Sequence, residues 1–202
     1  MVAMTPSAAR DFWHALVRNA ADLVIEADLL YPSPRTQSLI VLAHEELGKA
    51  SWVSSACRRA WREDDHPPVE VPELQDHGRR HVPKLAQAYE FLADDEARFV
   101  LTGDGLAEWE ADRLAGNRQW AVADNVAKQK GFYVDLEESG EFTVPSRVER
   151  PALSYDLWEV AHSVLWAIAD DSLRASRPRL DFAEDELRLK QVSDRHEPSD
   201  AG

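Results

Sequence analysis

Cysteine is nearly absent from this chain: Cys57 stands alone. A single thiol cannot build a disulfide framework within one chain, and a cysteine-rich zinc site is excluded. Cys57 follows Ser54, Ser55 and Ala56 in a helical pattern, where a small buried residue is expected rather than a nucleophile. Long apolar runs are missing as well. No segment reaches the roughly 18 uninterrupted apolar residues of a membrane span, so no membrane association is expected. Residues Met1 to Arg10 lack a basic stretch followed by an apolar one. No signal peptide is therefore expected, and the cytoplasm is the expected compartment. Positive charge is also scarce: the net charge is -14. That argues against a protein that coats nucleic acid through a basic surface. Local basic groups remain at Arg79, Arg80, His81 and Lys84, and at Lys128 and Lys130. There is no glycine-rich phosphate loop, no serine nucleophile elbow and no internal repeat.

What is present is helical patterning. The 202 residues, 44% of them apolar, suit one domain with a real core. The expected division is a helical bundle over 1–178 and a short helix with a polar tail over 179–202. Phe12, Leu16, Ala20, Leu23, Ala27 and Leu30 recur at spacings of three or four and predict a helix over 7–31. Tyr31-Pro32-Ser33-Pro34 breaks it, and Ser33 is placed to cap a second helix over 34–62. That helix is apolar on nearly every face, which marks it as central. A third helical region, 73–101, is interrupted by Gly78 and Pro83, with a break expected near His81. A fourth runs over 104–130, with Gly116 as a weak point. Gly131 to Asp135 reads as extended, and 136–150 as a loop with a short hairpin around Ser139-Gly140. A last long helix is expected over 154–176 and a short one over 181–190, followed by a frayed tail. The fold class is all-α: an up-and-down bundle with a short extended segment near 132–145. The seven tryptophans fall mostly in helical stripes, so they are expected in the core.

Charge inside the most apolar helix marks the candidate site: Glu45, Glu46 and Lys49. Glu45 and Lys49 are four apart and share a face. Glu46 falls in the stripe of Leu39, Leu42, Ala50 and Val53, so it should point into the core or a cleft. A buried carboxylate needs a partner. His81, Lys84, Lys128 and Tyr133 are the candidates. A buried ion-pair network that fixes helix register is favoured over a catalytic site. His77 and His81 have the spacing of a helical metal pair, but Gly78 and Pro83 weaken that reading. Glu159-x-x-His162 has the spacing of di-iron bundles but no second copy, so His162 is expected in the core. No metal and no cofactor are expected. Arg59 and His66 are a chance-level pair in an acidic loop. Arg35 either faces the cleft of Glu46 or caps a turn at the surface.

Three segments together resemble a known family. They are Ser38-Leu39-Ile40-Val41-Leu42-Ala43-His44-Glu45-Glu46-Leu47-Gly48-Lys49-Ala50, then His81-Val82-Pro83-Lys84-Leu85, then Lys128-Gln129-Lys130-Gly131-Phe132-Tyr133-Val134-Asp135. Gly140-Glu141-Phe142-x-x-Pro145 follows at a fitting distance. In this order they resemble the AbiV family of bacterial abortive-infection proteins, placed in the HEPN superfamily of helical bundles. The resemblance implies an anti-phage protein that arrests growth or translation, with a four-helix core and homodimerisation through bundle faces. Its target would be a phage or host protein, or RNA. Many HEPN relatives are metal-independent ribonucleases marked by an Arg followed four to six residues later by a His. Only Arg59 and His66 come near that signature here. An endoribonuclease reading therefore requires a departure, with Glu46 beside His81 as general base or Lys84 on the phosphate. The candidate catalytic set is Glu45, Glu46, Lys49, His81 and Lys84. The candidate binding set is Lys128, Lys130, Tyr133 and Asp135, with Tyr133-Val134-Asp135 closing over the central helix.

Overall fold

A computed structural model describes residues 3–63, 66–98, 105–136, 141–145, 152–174 and 181–198. Seven helices dominate these residues: α1 (Pro6–Leu29), α2 (Pro34–Cys57), α3 (Pro72–His77), α4 (His81–Arg98), α5 (Gly105–Phe132), α6 (Leu153–Arg174) and α7 (Ala183–His196). Two short antiparallel pairings join β1 (Ala3–Met4) to β2 (Val69–Glu70) and β3 (Asp135–Leu136) to β4 (Phe142–Thr143). The chain is an all-α, HEPN-like bundle. No helix among the described residues is long and apolar enough to cross a membrane.

Local chemistry sets the helix ends. Thr5 Oγ1 accepts from the Ala8 amide at 3.2 Å, with Pro6 in the first turn of α1. Ser33 caps α2 in the same way, accepting from the Arg35 amide at 3.3 Å. The third helical region divides into α3 and α4 at Gly78. Pro83 causes no kink, because it lies in the first turn of α4, where a missing N–H loses no helical bond. α5 passes straight through Gly116 and continues to Phe132, past the expected end. Ser139-Gly140 lies outside the described residues, but β3 and β4 pair on either side of it. α7 also outruns its pattern. It extends to His196 and buries Leu189 and Val192, because Arg195 and His196 bond to Asp28 of α1.

α2 is central, packing against α1, α4, α5 and α6. Its two sides differ. On one side α1, α2, α6 and α7 enclose a large apolar core that includes Trp13, Val17, Val24, Leu47, Leu157, Val164 and Leu189. On the other side, the described residues of α2, α4 and α5 share a small apolar cluster, Val41, Leu85 and Ala121. The tryptophan expectation holds for Trp13, Trp52 and Trp61 but fails for Trp120 and Trp166, which are 60% and 52% exposed. Helical spacing alone does not tell which stripe finds a neighbour.

Candidate functional site

The poorly apolar side of α2 is filled instead by charge. Glu45 is 2% exposed. One carboxylate oxygen accepts from Lys128 Nζ of α5 at 2.6 Å and the other from Lys84 Nζ of α4 at 2.8 Å. His81, at the start of α4, places Nδ1 at 2.8 Å and 2.9 Å from the two oxygens. Lys128 Nζ is also 2.9 Å from that nitrogen. Burial pushes the Glu45 carboxyl up, but the bonds from Lys128, Lys84 and His81 outweigh it and hold the pKa below the usual range. Glu45 is thus ionised and can only accept. Toward Glu45 the His81 Nδ1–H donates, whereas the Lys128 ammonium, which can only donate, meets that nitrogen as an acceptor, so the two neighbours favour opposite tautomers. The His81 side chain is 47% exposed, whereas those of Glu45, Lys84 and Lys128 are nearly covered. The imidazole is therefore partly in solvent while a buried carboxylate and an ammonium hold its Nδ1 side.

Close helix approach makes these contacts reachable. A Cβ on Gly48 would lie 1.9 Å from the Lys84 carbonyl oxygen, so only glycine lets α4 come this near. A Cβ on Gly131 would lie 2.1 Å from Ser38 Oγ and 2.7 Å from the Pro34 carbonyl oxygen. Ser38 Oγ donates to the Lys128 carbonyl at 2.8 Å and ties α5 to α2 about two turns of α2 from Glu45. Two features here were not read from sequence. Tyr89 of α4 donates to Asp124 of α5, and burial first, then Asp124, raises the Tyr89 pKa far beyond its usual value. His44 is 2% exposed, its ring lies 5.4 Å from that of Tyr89, and neither of its nitrogens has a partner among the described residues. Burial lowers the His44 pKa. The four-residue spacing of Asp124 and Lys128 was the available signal that α5 has a polar inner stripe.

The remaining candidates separate from the cluster. Glu46 does not enter the interior: it pairs with Lys49, one turn on along α2, at 2.6 Å. Glu45 takes the expected role of Glu46, and it is Glu45, not Glu46, that stands beside His81 and Lys84. An all-round apolar helix carries no phase to say which acid turns inward. Lys130 and Tyr133 are exposed. Tyr133-Val134 is not extended over α2; both residues stand in solvent at 65% and 67% exposure, because α5 carries the chain outward to Phe132. The backbone of Asp135 pairs with that of Thr143, and its side chain lies outside the described set. Arg35 is at the surface. His77 belongs to α3 and His81 to α4, so they do not share a helical face. Arg59 bonds to Glu63 at 2.8 Å and His66 lies 3.9 Å from the same carboxylate, so an acid sits between that pair. His162 lies half-buried between α6 and α7, 3.3 Å from Ser193 Oγ.

A family model described as AbiV matches residues 8–166, more than half of the chain. The chain belongs to the AbiV family. The match spans α1 to α5 and most of α6, and it leaves α7 outside. Searches of curated proteins and of solved structures each return no match. AbiV membership suggests abortive-infection defence. The three AbiV-like segments are also the three that meet at Glu45: Ser38 to Ala50 in α2, His81 to Leu85 in α4, and Lys128 onward in α5.

Proposed function

We propose that this chain is an anti-phage abortive-infection protein that acts in the cytoplasm and arrests growth or translation by engaging a target at the Glu45 cluster. The observation that carries this reading is the convergence of the family's segments on one charged group with His81 alone at its surface. The chain acts as a homodimer, and its target is a phage or host protein or an RNA. A phage-challenge assay with His81→Ala tests the reading. The side chain is half in solvent, so the variant should fold with little change in melting temperature yet lose protection. Full protection by a folded His81→Ala variant sinks the reading and leaves the cluster a purely structural ion network.

One arrangement favours a second reading, a metal-independent endoribonuclease. With His81 protonated at Nδ1 toward Glu45, Nε2 is the nitrogen left to act as a general base. His81 Nε2 would take the proton of an attacking ribose hydroxyl, and Lys128 would add positive charge near the phosphate. Cleavage of total RNA that survives a chelator and disappears in His81→Ala supports it. Loss of protection without any cleavage returns the choice to partner binding.

A further inference from the structure

The face of α2 turned away from Glu45 opens on a second concavity. Leu47, Ala50, Ser54 and Arg58 lie about half a turn around the helix from Glu45 and Gly48. They border a half-open cleft closed by Trp13 of α1, by Trp61 and Arg62 just after α2, and by α6. Its floor is apolar and buried: Leu47, Ala50 and Trp13 are at most 4% exposed, and Ala167 is 6%. Its rim is charged. Two guanidiniums, Arg58 and Arg62, and two carboxylates, Asp170 and Asp171, line it, and Arg10 pairs with Asp171 from outside the lining.

These charges are unequally satisfied. Arg10 forks onto Asp171. Its guanidinium also lies 5.1 Å and 5.0 Å from the ring centres of Trp13 and Trp61. That cation is fully engaged, and it occupies Asp171. Arg58 reaches Asp170 only at 4.0 Å, with 37% of its side chain exposed. The Arg62 side chain is exposed and has no hydrogen-bond or ion-pair partner among the described residues. In a chain of net charge -14, two under-paired guanidiniums above an apolar floor are an unusual combination. An apolar floor with a few convergent polar groups is the general form of a small-molecule site. The sign of the available charge selects an anion.

We propose that this cleft binds a small organic anion, with a phosphate or carboxylate on Arg58 and Arg62 and a short apolar body against Leu47, Ala50 and Ala167. The site lies across α2 from the Glu45 cluster and does not depend on the function assigned to that cluster.

Phenyl phosphate is a suitable probe, with benzoate to separate phosphate from carboxylate, and inorganic phosphate and phenol as the separate halves. Trp13 and Trp61 line the cleft, so their fluorescence reports occupancy, and calorimetry gives the affinity. One of the joined anions should bind saturably and at least about tenfold more tightly than either half. Arg62→Ala, which removes a solvent-exposed side chain, should weaken binding several-fold. Arg58→Ala combined with Arg62→Ala, and Ser54→Trp as a plug, should abolish it, while His81→Ala should leave it unchanged. Melting curves establish that each variant is folded. Absence of saturable binding of both anions up to about 10 mM overturns the proposal. So does affinity that survives in folded Arg62→Ala and Ser54→Trp variants.

Discussion

Glu45 keeps a full charge at a depth where an isolated carboxylate would take up a proton. Two ammonium groups and an imidazole make that possible. Removing Glu45 strands Lys84 and Lys128, both nearly covered, without a counter-charge. Glu45→Ala should therefore lose about 3–5 kcal/mol in urea unfolding, whereas His81→Ala, half in solvent, should lose less than about 1 kcal/mol. Similar losses in both would contradict the burial argument. The folded pKa of Glu45 is depressed, so its contribution is complete above the unfolded carboxyl value and fades as pH falls through the lower folded one. The penalty of Glu45→Gln relative to wild type should accordingly shrink below about pH 4. His44 behaves differently: neither nitrogen has a hydrogen-bond partner among the described residues, and burial lowers its pKa against a smaller opposing pull from Asp124. The unfolded chain therefore binds the His44 proton first as pH falls below about 6.5, and stability declines over that window. His44→Leu should be neutral or stabilising at pH 7 and should flatten stability between about pH 5 and 6.5. Clear destabilisation at pH 7 would mean that the imidazole has a partner.

Among the helices, glycine marks the closest approaches. Gly48→Ala drives a methyl into the Lys84 backbone carbonyl, so α4 must move and the Glu45 contacts must lengthen. Gly116→Ala meets nothing within 4 Å in the middle of α5. The first should destabilise by more than about 2 kcal/mol, and the second should stabilise by roughly 0.5–1 kcal/mol through helix propensity. Denaturant midpoints of the two variants moving in the same direction would rule this out. The helices themselves were legible in sequence, because periodicity, the Ser33-Pro34 cap and the Gly78 break act locally. The phase of α2 was not. Leu39 and Leu42 look as apolar as Ile40 and Val41, so no local signal assigned the interior to Glu45 rather than Glu46. Only the positions of α4 and α5 decide that. The end of α5 and the length of α7 were missed for the same reason: the contacts of Lys128 with Glu45 and of His196 with Asp28 lie far apart in sequence. The partners His81, Lys84 and Lys128 were found because a buried carboxylate needs a counter-charge and their segments resemble a family, whereas nothing in the sequence singled out Tyr89 or the burial of His44.

The molecule as a whole is two unequal halves joined along α2. Most of the apolar core joins α1, α6 and α7 to one side of α2, while charge and three buried apolar residues join α4 and α5 to the other. That asymmetry predicts an order of amide exchange. Protons in α4 and α5 should exchange through partial opening at a free energy below that of global unfolding. Val17, Val24, Leu157 and Val164 should hold their amide protons until the whole chain unfolds. α2 belongs to both halves, so its amides should follow the slower one. Once α4 and α5 have let go, it would stand as a folded wall with its charged face open to water.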